Sequence, residues 1–356
     1  MDEMLIRVLD DFGFGIEGSV VTPFGSGLIH RTWRVQDIKG QVYILQLVND
    51  KVFINPDDIA HNISIIGSFL EKKRPDAIFP QPLQTVFGGA YSRSGGGYYR
   101  MFPFIAGTHT IDICTKSDQA FEASRQFGLF TAMLNDLDLD MLCHTIPGFH
   151  DISLRYQQFM EALEKGDLFR KEESKEAIGF LLENRGIVDR FESIRKDPTF
   201  RLRVTHHDTK ISNVLLDEQE RGVCVIDLDT VMPGYIFSDL GDMMRTYLSP
   251  VSEEENDFSK IDVRPEFFEA IVEGYAGAMQ SILTKEEHRS IFYAGEFMIY
   301  MQALRFLTDH LNNDRYYGAA YTGHNYVRGM NQVSLLKRYQ EMKNDLEKIA
   351  IRITGQ

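Results

Sequence analysis

The sequence predicts a bilobal α+β fold, a small β-rich lobe followed by a larger, mostly helical one. Three observations carry this. Residues 1–104 hold short β-branched and aromatic runs punctuated by Gly and Pro. After Thr110 the apolar spacing turns helical. A single compact β segment, residues 214–229, then interrupts the helical half.

In the first lobe, residues 16–23 read as a strand, Gly25-Ser26-Gly27 as a turn and residues 31–36 as the next strand. Val42-Tyr43-Ile44-Leu45-Gln46-Leu47-Val48 reads as a buried strand. Pro56-Asp57-Asp58 opens a helix covering residues 59–72, with Ile59, Ile63, Ile66 and Leu70 on one face. Residues 87–99 read as a hairpin around Gly95-Gly96-Gly97, and Arg100-Met101-Phe102-Pro103-Phe104 as the last strand, running into a linker. In the second lobe, residues 105–356, helices are expected over 119–134, 153–164, 173–196, 265–283, 286–312 and 331–352. No internal repeat or low-complexity segment stands out.

At 356 residues and 43% apolar content, the chain can bury two cores. A net charge of −14 argues against nucleic acid or an anionic membrane as partner. Cys114, Cys143 and Cys224 lie far apart, so neither a zinc site nor a disulfide framework is expected. Buried free thiols fit a reducing compartment. No signal peptide or apolar stretch of membrane-spanning length is visible, so a cytoplasmic protein is expected.

The most informative stretch is His206-His207-Asp208-Thr209-Lys210-Ile211-Ser212-Asn213, followed by Val225-Ile226-Asp227-Leu228-Asp229. Phosphoryl transfer from a nucleotide needs a carboxylate to receive a hydroxyl proton, and an amide oxygen and a carboxylate to hold Mg²⁺. The H-x-D-x-x-x-x-N spacing matches the catalytic loop of kinase-like phosphotransferases. Asp208 is the candidate base, and Asn213 and Asp227 are the metal candidates. A plainer reading has Asp208 capping a turn and Asp227 ending a strand. Asp229 follows Asp227 at strand spacing, which puts both carboxylates on one face and favours a cation between them. Asp229 is thus a further metal candidate. Lys210 either neutralises the transferred phosphoryl group or pairs with Asp208 or Asp229. Gly25, Ser26 and Gly27 either lay N–H groups over phosphates or simply turn a hairpin. Asp242 and Arg245, at i, i+3 spacing, read as a brace for the catalytic loop. Arg305 either pairs with a carboxylate such as Asp309 or points into a polar pocket. The cluster of Tyr316, Tyr317, Tyr321, His324 and Asn325 suits a sugar face, although composition favours core packing.

These residues resemble the aminoglycoside phosphotransferase/choline kinase superfamily. The run from Cys224 to Gly234, with Asp239, Gly241, Asp242, Arg245, Arg305-Phe306-Leu307-Thr308-Asp309, Tyr316-Tyr317, His324-Asn325, Leu45-Gln46 and Arg100-Met101, is similar to the N-acetylhexosamine 1-kinase branch. The resemblance spans nearly the whole chain. It implies a protein-kinase-like bilobal fold, ATP as donor, Mg²⁺, and phosphorylation of the anomeric hydroxyl of N-acetylglucosamine or N-acetylgalactosamine. It also implies Asp208, Asp227, Thr230, Arg305 and Tyr317 as sugar contacts, and Gly25, Ser26, Gly27, Gln46, Phe102 and Phe104 as nucleotide contacts. At Gln46 the chain departs from the usual phosphate-binding Lys. Phosphate charge must then be met by Mg²⁺, the Gly-rich turn, or a neighbouring cation such as Arg31 or Lys51. Other readings are a kinase of another small alcohol (aminoglycoside, choline or homoserine), a non-catalytic nucleotide- or sugar-binding protein, or a metal-dependent phosphatase.

Overall fold

The computed structural model describes residues 3–15, 18–25 and 29–355. The small lobe opens with α1 (Glu3–Asp11), which the sequence reading missed. Strands β1 (Val20–Pro23), β2 (Arg31–Gln36) and β3 (Val42–Val48) follow, then α2 (Pro56–Lys73), β4 (Ser92–Ser94) and β5 (Gly97–Pro103). The five strands form one antiparallel sheet in the order β1-β2-β3-β5-β4. Gly95 and Gly96 both carry positive φ, 58° and 79°, so the β4–β5 turn suits glycine at each position. One sheet face buries Trp33, Val35, Leu45, Tyr99 and Met101 against Val8, Leu9 and Phe12.

Helix α2 starts with Pro56 in its first turn, has Asp57 and Asp58 beside it, and ends on Lys72 and Lys73. Each charge complements the helix dipole. Its apolar face, Ile59, Ile63, Ile66 and Leu70, joins the core of the large lobe rather than that of the sheet. Buried Asn62 completes the attachment. Its amide donates to the carbonyls of Cys143 and Val231, and its oxygen accepts from the Cys143 N–H.

The large lobe continues with β6 (Thr108–His109), α3 (Ser117–Met133), α4 (Ile152–Lys165), α5 (Leu168–Glu173), α6 (Lys175–Glu183) and α7 (Gly186–Ile194). The catalytic segment comprises β7 (Arg203–Thr205), β8 (Val214–Asp217), β9 (Gly222–Val225) and β10 (Met232–Gly234). The rest is helical: α8 (Ile236–Tyr247), α9 (Pro265–Met279), α10 (Lys285–Arg289), α11 (Ile291–Leu311), α12 (His324–Glu341) and α13 (Lys343–Thr354). Strands β6-β8-β9 make one small sheet, and β10 pairs with β7.

Three expected single helices are broken. Residues 173–196 divide at Ser174, which ends α5 and starts α6, and again at Asn184, whose amide turns back to the Phe180 carbonyl. Residues 286–312 break at Ser290, and 331–352 break at Met342 after α12 has begun earlier, at His324. Helix α8, not called as a helix from sequence, packs closely on α11. A Cβ at Gly241 would lie 2.2 Å from the Ala294 carbonyl oxygen, so glycine sets this approach. The three cysteines are unpaired. Among the described residues, no helix is long and apolar enough to cross a membrane.

Candidate active site

The loop after β7 is held from below by α8. The two oxygens of Asp239 accept the N–H groups of His206 (3.0 Å) and His207 (2.8 Å). Asp242 accepts the Thr209 N–H at 2.9 Å, and the Thr209 hydroxyl donates to the Asp239 carbonyl at 2.8 Å. The Tyr247 hydroxyl donates to the Thr209 carbonyl. Arg245 forks onto Asp242 (3.0 and 2.9 Å) and reaches Glu253 at 2.7 Å. The backbone on both sides of Asp208 is therefore fixed by buried, charge-assisted bonds. Burial pushes the Asp239 carboxyl up to about 6, against the pull of its two backbone donors.

Asp208 is partly exposed. Its Oδ2 accepts from the Asn213 amide at 3.0 Å and from Lys210 Nζ at 3.1 Å. Because Asn213 spends its N–H₂ group on Asp208, its Oδ1 remains available as an acceptor or ligand. The Asn213 carbonyl accepts the Ile226 N–H at 2.8 Å, which fastens the loop to the segment carrying Asp227. Asp227 is left-handed (φ 60°, ψ 61°) and leads into a 3₁₀ turn, Leu228–Thr230. The expected strand spacing of Asp227 and Asp229 therefore does not exist, because the chain leaves β9 at Val225.

The two carboxylates meet different surroundings. Asp229 is buried, with Arg100 Nη1 on one oxygen at 2.5 Å and His30 Nε2 on the other at 2.8 Å. Against the cost of burial, Arg100 and His30 hold its carboxyl down at about 2. His30 Nδ1 accepts the Asn49 N–H at 3.1 Å, so a neutral ring carries its proton on Nε2 and donates to Asp229. Ligand atoms of His30, Asp227 and Asp229 lie within 4.8 Å of one another. That bonding makes His30 a donor and Asp229 an anchored counter-ion. Asp227 receives no hydrogen bond among the described residues. Burial, with Asp229 and Asp208 alongside, pushes its carboxyl up. A half-buried carboxylate without a donor, next to a free amide oxygen, fits a hard divalent cation with oxygen ligands.

Across the sheet, Gln46 pairs in register with Arg100. The Gln46 amide oxygen accepts from Arg100 Nε (3.1 Å) and Nη2 (2.9 Å). A buried guanidinium from the next strand thus sits beside the uncharged Gln46 and crosses from the small lobe to Asp229. The Arg31 guanidinium lies over Trp33 at 5.3 Å, and Lys51 lies exposed in a turn. Phe102 stacks under the Arg100 guanidinium at 5.1 Å, and Phe104 meets Phe24 edge-on at 6.3 Å. Gly25 (φ 78°) has open space where a Cβ would be, while Ser26 and Gly27 lie outside the described residues.

On the far side of the catalytic loop, His207 (φ 66°) is bonded to Thr205 Oγ1 at 2.8 Å, and its Nδ1 lies 3.3 Å from His150 Nδ1. Burial holds His207 down at about 3 and His150 well below its ordinary range. Both rings are therefore neutral at pH 7. Between about pH 6.5 and 3 the unfolded chain binds protons that the folded His207 refuses, so stability falls as pH drops through that window. Thermal melts at pH 7 and pH 5 should show a smaller loss for His207→Asn, which tolerates positive φ, than for the parent; equal losses would contradict this.

Thr230 donates its hydroxyl to the His206 carbonyl at 2.6 Å. Arg305 does not pair with Asp309, whose oxygens accept the N–H groups of Tyr316 and Tyr317 and the amide of Asn325. The Arg305 guanidinium instead lies between the rings of Phe149 (5.2 Å) and Tyr317 (5.4 Å) and faces a cavity. Expected core packing of the tyrosine cluster fails at Tyr316 and Tyr321, which are 69% and 49% exposed; both stand on the loop before α12. Residues missed as site candidates are Arg100, His30 and His150. Arg100 and Gln46 were both noted in sequence, but only strand register joins them.

Residues 20–282 match the phosphotransferase enzyme family, well over half of the chain. The chain belongs to that family. It is a kinase of the aminoglycoside phosphotransferase/choline kinase superfamily, whose members phosphorylate small-molecule alcohols and use ATP. The fold of this phosphotransferase is similar to an aminoglycoside phosphotransferase from Alicyclobacillus acidocaldarius (TM-score 0.60, 15% identity, 97% of this chain and 96% of the other). It is also similar to a choline kinase from Cryptosporidium parvum (TM-score 0.58, 12% identity, 99% of each chain). A third similar structure is a spectinomycin phosphotransferase in complex with ADP and spectinomycin (TM-score 0.55, 16% identity, 100% of this chain and 99% of the other).

Proposed function

We propose that this phosphotransferase transfers the γ-phosphoryl group of ATP to the anomeric hydroxyl of an N-acetylhexosamine, with Asp208 as base. The observation that carries the choice of acceptor is Arg305, a guanidinium fixed between Phe149 and Tyr317 on the side of the catalytic loop marked by His150 and His207. An acceptor carrying its own positive charge, such as choline, wants an aromatic or acidic cage, and here an arginine occupies the aromatic pair. Sugar hydroxyls and an acetamido oxygen are good acceptors for it.

Asp208 orients the acceptor hydroxyl and takes its proton as the oxygen attacks phosphorus and the bond to the ADP oxygen breaks. Lys210 shares Asp208 in the resting site and is placed to offset charge on the moving phosphoryl group. Asn213 Oδ1 and Asp227 would hold Mg²⁺, which when bound neutralises phosphate charge. Asp229 holds Arg100, and Arg100 holds Gln46, so the small-lobe strands are tied to the metal segment.

Steady-state rates with N-acetylglucosamine, N-acetylgalactosamine, choline and an aminoglycoside test the assignment. Turnover confined to the N-acetylated sugars is expected; turnover confined to a cationic acceptor would overturn it. Arg305→Ala should raise the sugar KM by about 10- to 150-fold, the loss of a charge-assisted hydrogen bond, and leave the ATP KM nearly unchanged. An unchanged sugar KM would return Arg305 to a structural role.

A further inference from the structure

Between α8 and α9 the chain reads Ser252-Glu253-Glu254-Glu255, three acids in one loop. Helix α12 grips this loop. Arg328 donates to one oxygen of Glu253 and lies 3.3 Å from Glu254, and His324 meets the other Glu254 oxygen. The Asn331 amide donates to the carbonyls of Ser252 (3.1 Å) and Glu255 (3.2 Å). The second Glu253 oxygen accepts from Arg245 Nη1 at 2.7 Å. Arg245 forks onto Asp242 Oδ1, and Asp242 Oδ2 accepts the N–H of Thr209, the residue after Asp208. Four side chains of alternating charge, Arg328, Glu253, Arg245 and Asp242, thus join α12 to the loop that carries the base.

The far end of this relay meets Tyr317. The Arg328 guanidinium lies over the Phe306 ring at 4.0 Å and over the Tyr317 ring at 5.5 Å, and Tyr317 also carries Arg305, at 5.4 Å. Asp242 is buried, and Arg245, Glu253 and Arg328 are half-buried. Against the cost of burial, Arg245 and Arg328 hold the Glu253 carboxyl down. Ion pairs removed from water add little net stability over apolar packing of the same volume. What they do supply is direction, because a forked guanidinium fixes the carboxylate it meets. Among the described residues, Glu253 is the carboxylate that both Arg245 and Arg328 reach, so it is the joint of the relay.

Resting on the reading of Arg305 and Tyr317 as acceptor contacts, we propose that Arg328 and Glu253 are positioning residues that couple the seating of the acceptor to the placement of the base. They act through Arg245 and Asp242, which hold the backbone beside Asp208, and not on the reacting atoms. An acceptor held by Arg305 and Tyr317 settles Arg328 against its ring partners, and Glu253 passes that setting to the catalytic loop.

The test measures turnover, thermal melts and amide hydrogen exchange in the parent, Glu253→Gln, Arg328→Met, Arg305→Ala and the double variant of Arg305 and Arg328. Glu253→Gln keeps the side-chain size and is the milder change should Arg328→Met unfold the protein. Glu253→Gln and Arg328→Met should each lower kcat by about 10- to 100-fold with the ATP KM nearly unchanged, the effect of a misplaced reacting group. Both should also speed exchange over residues 206–213, which include the Thr209 N–H. In the double variant the loss in kcat/KM for the acceptor should fall short of the product of the single losses by about threefold or more. Folded variants with unchanged kcat, unchanged exchange over 206–213, or a double variant whose losses simply multiply would each overturn the proposal. The acceptors are N-acetylglucosamine, N-acetylgalactosamine and choline. If the parent phosphorylates choline alone, the sugar reading fails, and the same kcat loss with choline keeps the coupling. If it phosphorylates none of them, exchange over 206–213 decides: faster exchange in both variants keeps the relay, and parental exchange removes it.

Discussion

Asp208→Asn should lower turnover by about 10²- to 10⁴-fold, the range for loss of a general base, with nucleotide binding nearly intact. The amide keeps the size of the carboxylate, and the loop around it is held by Asp239, Asp242 and Tyr247 through backbone groups the substitution does not touch. What disappears is a group able to take a proton, and the anionic partner of Lys210 and Asn213. Turnover by stopped assay and nucleotide binding by calorimetry, read on the same preparation, separate the two effects. A variant that keeps most of its turnover would remove Asp208 from the chemistry.

Arg100→Met should cost about 3–5 kcal/mol of stability, because it leaves the Asp229 carboxylate buried with one partner fewer. The Gln46 amide oxygen also loses both of its donors. Arg100→Lys should recover little, since one ammonium cannot fork between Gln46 and Asp229 as the guanidinium does. Denaturant melts measure this. A loss under about 1 kcal/mol for Arg100→Met would mean that the ion pair is not sustaining the link between the lobes.

The two-lobed α+β plan was legible because both periods are strong: β-branched alternation before Phe104, 3.6-residue spacing after Thr110. Helix breaks at Ser174, Ser290 and Met342 were not legible, because apolar spacing continues through them and only local capping interrupts the hydrogen bonds. Asp208, Asn213 and Asp227 could be picked out because they lie close together in sequence and stand together in the structure. Arg100, His30 and Asp229 could not be joined from sequence. Their triad depends on the register of β3 against β5 and on how the lobes meet. The same limit applies to Arg328 and Glu253, one on α12 and the other in the loop after α8, whose contact exists only in the packed fold.

The most direct measurement is ³¹P NMR of the purified protein with ATP, Mg²⁺ and N-acetylglucosamine, then N-acetylgalactosamine, with Asp208→Asn alongside. A new resonance of a sugar phosphate coupled to the anomeric proton, formed by the parent and absent from the variant, is the predicted result. A phosphate ester at any other hydroxyl, or no ester with either sugar while ATP is demonstrably bound, would contradict it.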